Sequence, residues 1–205
     1  MTTQITPTSE LQAINIMLSV IGEAPVNSIT GTTSVDVSTA KNLLDETSMS
    51  IQSQGWHFNT HENYKNLALD QDSKIPLPSN CVKVDASKNF RYINITLRNG
   101  FLYNLETHTD VFTTVPEVDL VLVQQFEQLP EYARQYITQK ASRRFASRFL
   151  GDAQIVQLIG QDENEALMAF HQADSQETDV NMLEGDSNTY SIINRPTRRT
   201  YKWVE

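Results

Sequence analysis

Three groups of residues in this 205-residue chain have the types and spacing that chemistry can use. The first is His57 and His61, four apart, with Glu62 beside the second. On a helix that spacing puts two imidazoles on one face and can hold zinc. Here the pair follows Gly55, where a helical pattern stops, and no third ligand stands nearby, so neither a metal nor another cofactor is expected. The second group is acidic: Asp152, Asp162, Glu163, Glu165, Asp174, Glu177 and Asp179, in a stretch without Lys or Arg. Two carboxylates flanking a sugar bond are the machinery of glycoside hydrolysis, and a glycan hydrolase built on these acids is the alternative reading. Carboxylates at helical spacing are more often a solvated face, so the expectation is a protein without catalytic residues. The third group is basic. Arg134, Lys140, Arg143, Arg144 and Arg148 face the acidic stretch in sequence, and Arg195, Arg198, Arg199 and Lys202 accompany Tyr201 and Trp203 at the C-terminal end. Arginine, tyrosine and tryptophan are enriched where proteins grip one another. We therefore take Arg143, Arg144, Arg148, Arg195, Arg198, Arg199, Tyr201 and Trp203 as candidate partner-interface residues. No phosphate loop, dinucleotide fingerprint or Ser/His/Asp arrangement is legible, and His108 and His171 read as surface or satisfied residues.

The elements that must position these groups follow from periodicity. From Leu129 to Phe149, Leu129, Ala133, Tyr136, Ile137, Ala141, Phe145 and Phe149 recur at steps of three and four, one face of a helix. Pro130 suits its first turn and Gly151 the position just past its end. Asp152 can cap a following helix. In that helix Val156, Ile159, Ala166, Phe170 and Ala173 carry the period, with a polar slip at Glu163. The two pack as an antiparallel helical hairpin, with five bases and one acid on the first and seven acids on the second. Near the N-terminus, Leu11, Ile14, Met17, Leu18 and Ile21 predict a helix over about Ser9–Ile21, closed by Gly22. Val37, Ala40, Leu43, Leu44, Thr47 and Ile51 predict another over about Ser34–Gln54, with Thr33 and Asp36 at capping-box spacing before it. Trp56, Phe58 and Tyr64 read as core aromatics at its exit.

Between the two helix pairs the period drops to two. Ile93, Ile95 and Leu97 alternate with polar residues, and Asn99-Gly100 is the signature of a tight hairpin turn whose central residues need positive φ. Phe101–Leu105 is the returning strand. Lys74–Leu77, Cys81–Ala86 and Asp119–Gln125 add short strands, with Pro76 and Pro78 confining the first to an edge. The expected fold is α+β: residues 1–61 and 127–180 form the two halves of a four-helix bundle, 62–126 an inserted antiparallel β-sheet, and 181–205 an extended C-terminal arm.

Composition narrows the function. Hydrophobic residues make up 39% of the chain, enough for a core, and the net charge of −9 argues against holding DNA through its phosphates. It does not argue against a surface that DNA slides past. With Cys81 as the sole cysteine, neither an internal disulfide nor a cysteine-based zinc site is expected. The first residues lack a secretory signal pattern, and the longest strongly apolar run, Leu120–Val123, is far short of a membrane span. No membrane partner is expected.

Four blocks carry a resemblance: ELQAINIMLSVIGEAPV at the start, IQSQGWHFN after the second helix, LPEYARQYITQKASRRFASRFLG in the third, and NMLEGD after the fourth. In order and spacing they resemble the tail tubular proteins, head-to-tail adaptors of short-tailed bacteriophages. The resemblance implies a structural virion protein made in the host cytoplasm. It implies a dodecameric ring of identical copies between the portal protein and the tail nozzle protein, with genomic DNA passing through the lumen without specific binding. The family fold, a helical bundle with an inserted β-region, agrees with the reading of the residues. An acidic lumen also lets DNA move without sticking. In this setting the alternative becomes a virion-associated hydrolase of exopolysaccharide.

Overall fold

The computed structural model describes residues 6–29, 34–151 and 153–177. Its helices are α1 (Glu10–Val20), α2 (Val35–Gln52), α3 (Glu131–Phe149) and α4 (Ala153–Glu177). Its strands are β1 (Thr60–Tyr64), β2 (Cys81–Ala86), β3 (Ile95–Arg98), β4 (Phe101–Asn104) and β5 (Val118–Leu122). The fold is mixed α+β, as the periodicities predict.

α1 starts with a reciprocal cap. The Ser9 hydroxyl accepts from the Gln12 amide at 3.2 Å, and the Gln12 side chain accepts from the Ser9 amide at 2.9 Å. Ala13, Ile14, Met17 and Leu18 are its buried stripe. α2 begins after Ser34, whose side chain makes no capping bond. The Thr33 cap predicted from sequence lies outside the described residues. The turn that follows α2 ends at Gly55, which takes φ +82°, and a Cβ there would stand 3.1 Å from Val121 Cγ2. The positive φ favours glycine here, and a Cβ would also press on the Val121 side chain.

α3 is the central helix: α1, α2 and α4 all pack on it, and residues from all four helices join one apolar core. The predicted stripe Leu129, Ala133, Tyr136, Ile137, Ala141 and Phe145 is buried. Phe149, also placed on that stripe, is 43% exposed, because the last turn of α3 carries it past the core. α3 and α4 run antiparallel: Tyr132 meets Phe170 and Glu177, while Arg143 meets Gly160 and Glu163. Phe170 is wholly buried, with the Trp56 ring edge-on at 4.3 Å and the Tyr136 ring at 5.3 Å.

The inserted region holds two antiparallel sheets where sequence predicts one. β5 lies between β1 and β2, and β3 pairs with β4 around Asn99 (φ +53°) and Gly100 (φ +81°), the expected turn. Lys74–Leu77 is not a strand. Pro76 has no amide hydrogen, and the segment makes only isolated bridges: Lys74 pairs with Val111, and beside the hairpin Leu77 N–H donates to Gly100 O and Leu102 N–H to Ile75 O, both at 2.9 Å. β1 was not foreseen, since Thr60–Tyr64 shows no apolar alternation and its middle three residues are exposed. A second core, with Ile75, Val84, Ile95, Leu102, Val118 and Leu120 among its members, fills this region.

One amide joins the helices to the sheet. Gln52, wholly buried at the end of α2, accepts from the Gln124 amide at 2.8 Å and donates to the Gln124 carbonyl at 3.0 Å and to the Ser48 hydroxyl at 2.9 Å. Its side chain thus pairs with the chain leaving β5 as a neighbouring strand would.

Candidate interaction site at the last two helices

The basic residues of α3 do not form one face. Arg134 is turned inward, with Nε donating to Leu129 O at 2.7 Å and Nη1 to Thr8 O at 2.9 Å, while Nη2 donates to Glu127 O. It fastens the N-terminal segment and the turn before α3 to the helix. Lys140 lies over the Tyr136 ring, 5.2 Å from its centroid.

The three arginines singled out from sequence stand together at the far end of the hairpin. Arg143 crosses to α4, its Nε 2.8 Å from Oε2 of Glu163. That oxygen has no aligned hydrogen-bond donor, so the pairing is coulombic. Glu163 is 7% exposed, which explains the polar slip in the helical pattern: a buried carboxylate is kept because a guanidinium answers it. Arg144 reaches α2, donating to the Thr47 hydroxyl at 2.9 Å and to Glu46. Arg148 stands 3.9 Å from the same glutamate. Arg143, Arg144, Ser147, Arg148 and Val156 line a groove of about 290 Å³, and a neighbouring groove is lined by Arg143, Ala153, Val156, Gln157, Gly160, Gln161 and Asn164.

The acids of α4 are mostly engaged in holding that helix. Asp174 accepts from the His57 amide at 3.0 Å, and Glu177 accepts from the Tyr132 hydroxyl at 2.6 Å. Burial first, and then the Glu177 carboxylate, push the Tyr132 phenol well above its usual range. Asp162 and Glu165 point to solvent without an ion pair among the described residues. Asp152, Asp179 and the candidates Arg195, Arg198, Arg199, Tyr201 and Trp203 lie outside the described residues. The two histidines considered for zinc are in different elements. His57 sits in a 3-10 turn with Nδ1 3.8 Å from Glu177, and His61 sits in β1 with its ring against Tyr64. No group of three metal-ligating side chains gathers among the described residues.

Sequence reasoning missed two ties. Glu131 receives the Thr8 amide at 2.8 Å and the Thr8 hydroxyl at 2.6 Å. Burial raises its carboxyl, but these bonds, with Gln135 and Arg134, outweigh it and hold the group below its usual range. Lys41 pairs with Glu10 across α1 and α2. Both partners are far apart in sequence, and only the ordinary amphipathic pattern marks either.

What these side chains build is a scaffold with contact surfaces: charges that bind helix to helix, and a cationic groove left at the hairpin tip. The comparisons with known proteins agree with that class. The sequence model of a family described as tail tubular protein matches residues 11–180. The chain is 30% identical to tail tubular protein A of Klebsiella phage KP34 over 158 residues, 77% of each protein. This chain belongs to the tail tubular protein family, and it is a structural protein of a phage tail. No helix among the described residues is long and apolar enough to cross a membrane.

Proposed function

We propose that this protein is the head-to-tail adaptor of a short-tailed phage. Copies of the chain assemble into a ring, dodecameric by family resemblance, between the portal protein and the tail nozzle protein, and genomic DNA passes through the ring during ejection. The observation that carries this reading is the family match, which runs from within α1 through α4 and so takes in both helix pairs and the inserted sheets. The net charge of −9 supports a lumen that repels phosphate instead of gripping it. We assign the groove arginines Arg143, Arg144 and Arg148 to contacts between subunits. The C-terminal residues Arg195, Arg198, Arg199, Tyr201 and Trp203 we assign to the portal or a neighbouring subunit, since their types are those of binding hot spots.

The test is assembly on purified portal, followed by mass measurement and imaging. The full chain should stay monomeric or weakly associated alone and form rings of fixed copy number when portal is added. A chain ending at Asp179 should keep its helix content and lose most of its portal affinity. Failure of the full chain to bind portal would refute the adaptor reading. Unchanged affinity of the shortened chain would remove the role given to the C-terminal arm.

A further inference from the structure

Asn99 and Gly100, which close the β3–β4 hairpin, are the one place in the chain where glycine follows asparagine. Both are exposed, and their φ values of +53° and +81° make the turn type I′. The peptide between them is free. Among the described residues neither the Asn99 carbonyl nor the Gly100 amide has a hydrogen-bond partner, and the Asn99 side chain has none either. The space around it is open, since a Cβ on Gly100 would meet nothing within 4 Å. The groups that fix the hairpin lie to either side. Residue pairs from Ile95 with Asn104 to Arg98 with Phe101 hold the strands, and Leu77 N–H holds the Gly100 carbonyl at 2.9 Å.

A free peptide plane of this kind can rotate without moving the strands. The rotation turns type I′ into type II′, which keeps positive φ at the first central residue, brings its ψ to about −120° and needs negative φ at the second. Glycine accepts either sign. At that ψ the Gly100 nitrogen lies over the Asn99 Cβ and can meet the carbon of its side-chain amide. With negative φ the same ψ lies outside the allowed regions of an L-residue, so the hairpin supplies a dihedral that an extended chain lacks.

We propose that Asn99 is a site of spontaneous covalent conversion in the folded protein. The Gly100 amide nitrogen, losing its proton to solvent base, attacks Cγ of Asn99. A C–N bond forms there, the bond from Cγ to the side-chain nitrogen breaks, and that nitrogen takes one proton from solvent and leaves as ammonia. The cyclic imide then takes up water. Opening at Cγ leaves aspartate. Opening at the main-chain carbonyl leaves isoaspartate, whose backbone runs through the side-chain methylene. Aspartate before glycine suits a type I′ turn as asparagine does. Isoaspartate lengthens the turn by one backbone carbon and sets the bond between Leu77 and Gly100 against the register of the strands. The result is a slow, one-way change in the inserted region, and it is independent of the adaptor reading.

The full chain is aged folded, at neutral and at mildly alkaline pH in heavy-oxygen water, and beside it in urea. Position 99 is followed by proteolysis, chromatography and mass spectrometry. Aspartate and isoaspartate should accumulate there with one heavy oxygen each and faster at the higher pH, and the folded rate should stay within tenfold of the rate in urea. Asn94, exposed and followed by the branched Ile95, should stay intact over the same time. Asn99→Gly removes the reacting carbon and leaves a glycine pair that type I′ turns accept, so it should age without these products. A folded rate more than tenfold below the rate in urea overturns the proposal, as does conversion at Asn99 no faster than at Asn94. Peptide-level hydrogen exchange on aged protein reads the effect on the fold. Peptides with isoaspartate should lose protection across β3 and β4, while those with aspartate should match fresh protein. Equal protection in the two products would overturn the effect assigned to the lengthened turn.

Discussion

Replacing Gln52 with Met keeps the side-chain length and removes the polar atoms that this side chain brings to the joint between helices and sheet. Three hydrogen bonds are lost, two to the backbone of Gln124 and one to Ser48, at about 1 kcal/mol each. The Gln124 amide and carbonyl lose a partner at a site where Gln52 itself is wholly buried, and an unpaired buried group costs about 1–3 kcal/mol. These two descriptions overlap, so the net loss should be near 3 kcal/mol. For a chain of this size each kcal/mol moves the midpoint of unfolding by roughly 2–4 °C. Gln52→Met should therefore lower Tm by about 6–12 °C in calorimetry at neutral pH. Gln54→Met, two residues on and exposed, is the control and should move Tm little. A fall of less than about 2 °C for Gln52→Met would mean that the strand-like pairing of this side chain does not hold the two regions together.

Phe170→Ala removes the one wholly buried aromatic of α4 and should cost about 3–5 kcal/mol, with α4 amides losing hydrogen-exchange protection before those of α3. Gly160 lies inside α4, and a Cβ there would sit 3.7 Å from Arg143 Cδ, an ordinary contact. Gly160→Ala should thus raise stability by about 1 kcal/mol, read as a higher midpoint in urea. Glu131 has a folded pKa held below its unfolded value, so it contributes stability that is complete above about pH 4.5 and is lost as pH falls through the lowered value. Across that acidic window the wild type should lose stability more steeply than Glu131→Gln in a pH series of thermal melts, and equal slopes would refute the Thr8 tie.

Much of the helical part was legible because each helix has one buried stripe and a clear end. The glycines at 22, 55 and 151 are local signals, and each takes a positive φ in the structure, whereas the equally local Ser9–Gln12 cap was not read from the sequence. The strands were harder. β1 has no alternation to read, because it is an edge strand with one neighbour and an exposed centre. Lys74–Leu77 reads as a strand, yet its pairing is limited to a few bonds around Pro76. The charged residues were least legible. In sequence, Arg134 and Arg148 look alike, but one is 8% exposed and bonded to three carbonyls, while the other stands at the tip. Which way a guanidinium turns depends on groups more than a hundred residues away, such as Thr8, or on a different helix, such as Glu46.

The placement of the sheets between α2 and α3 also sets an order in time. α1 and α2 leave the ribosome first, but the helix on which both pack is separated from them by about eighty residues. At about 5–20 residues per second, that is roughly 4–16 s in which Ile14, Met17, Leu43 and Ile51 wait without α3 against them. The inserted region has its own core and can condense during that interval, drawing the two ends of the long loop together before the helices meet. A nascent chain of this kind depends on its sheets folding promptly, since the apolar stripe of the first helix pair is open to any other chain until α3 arrives.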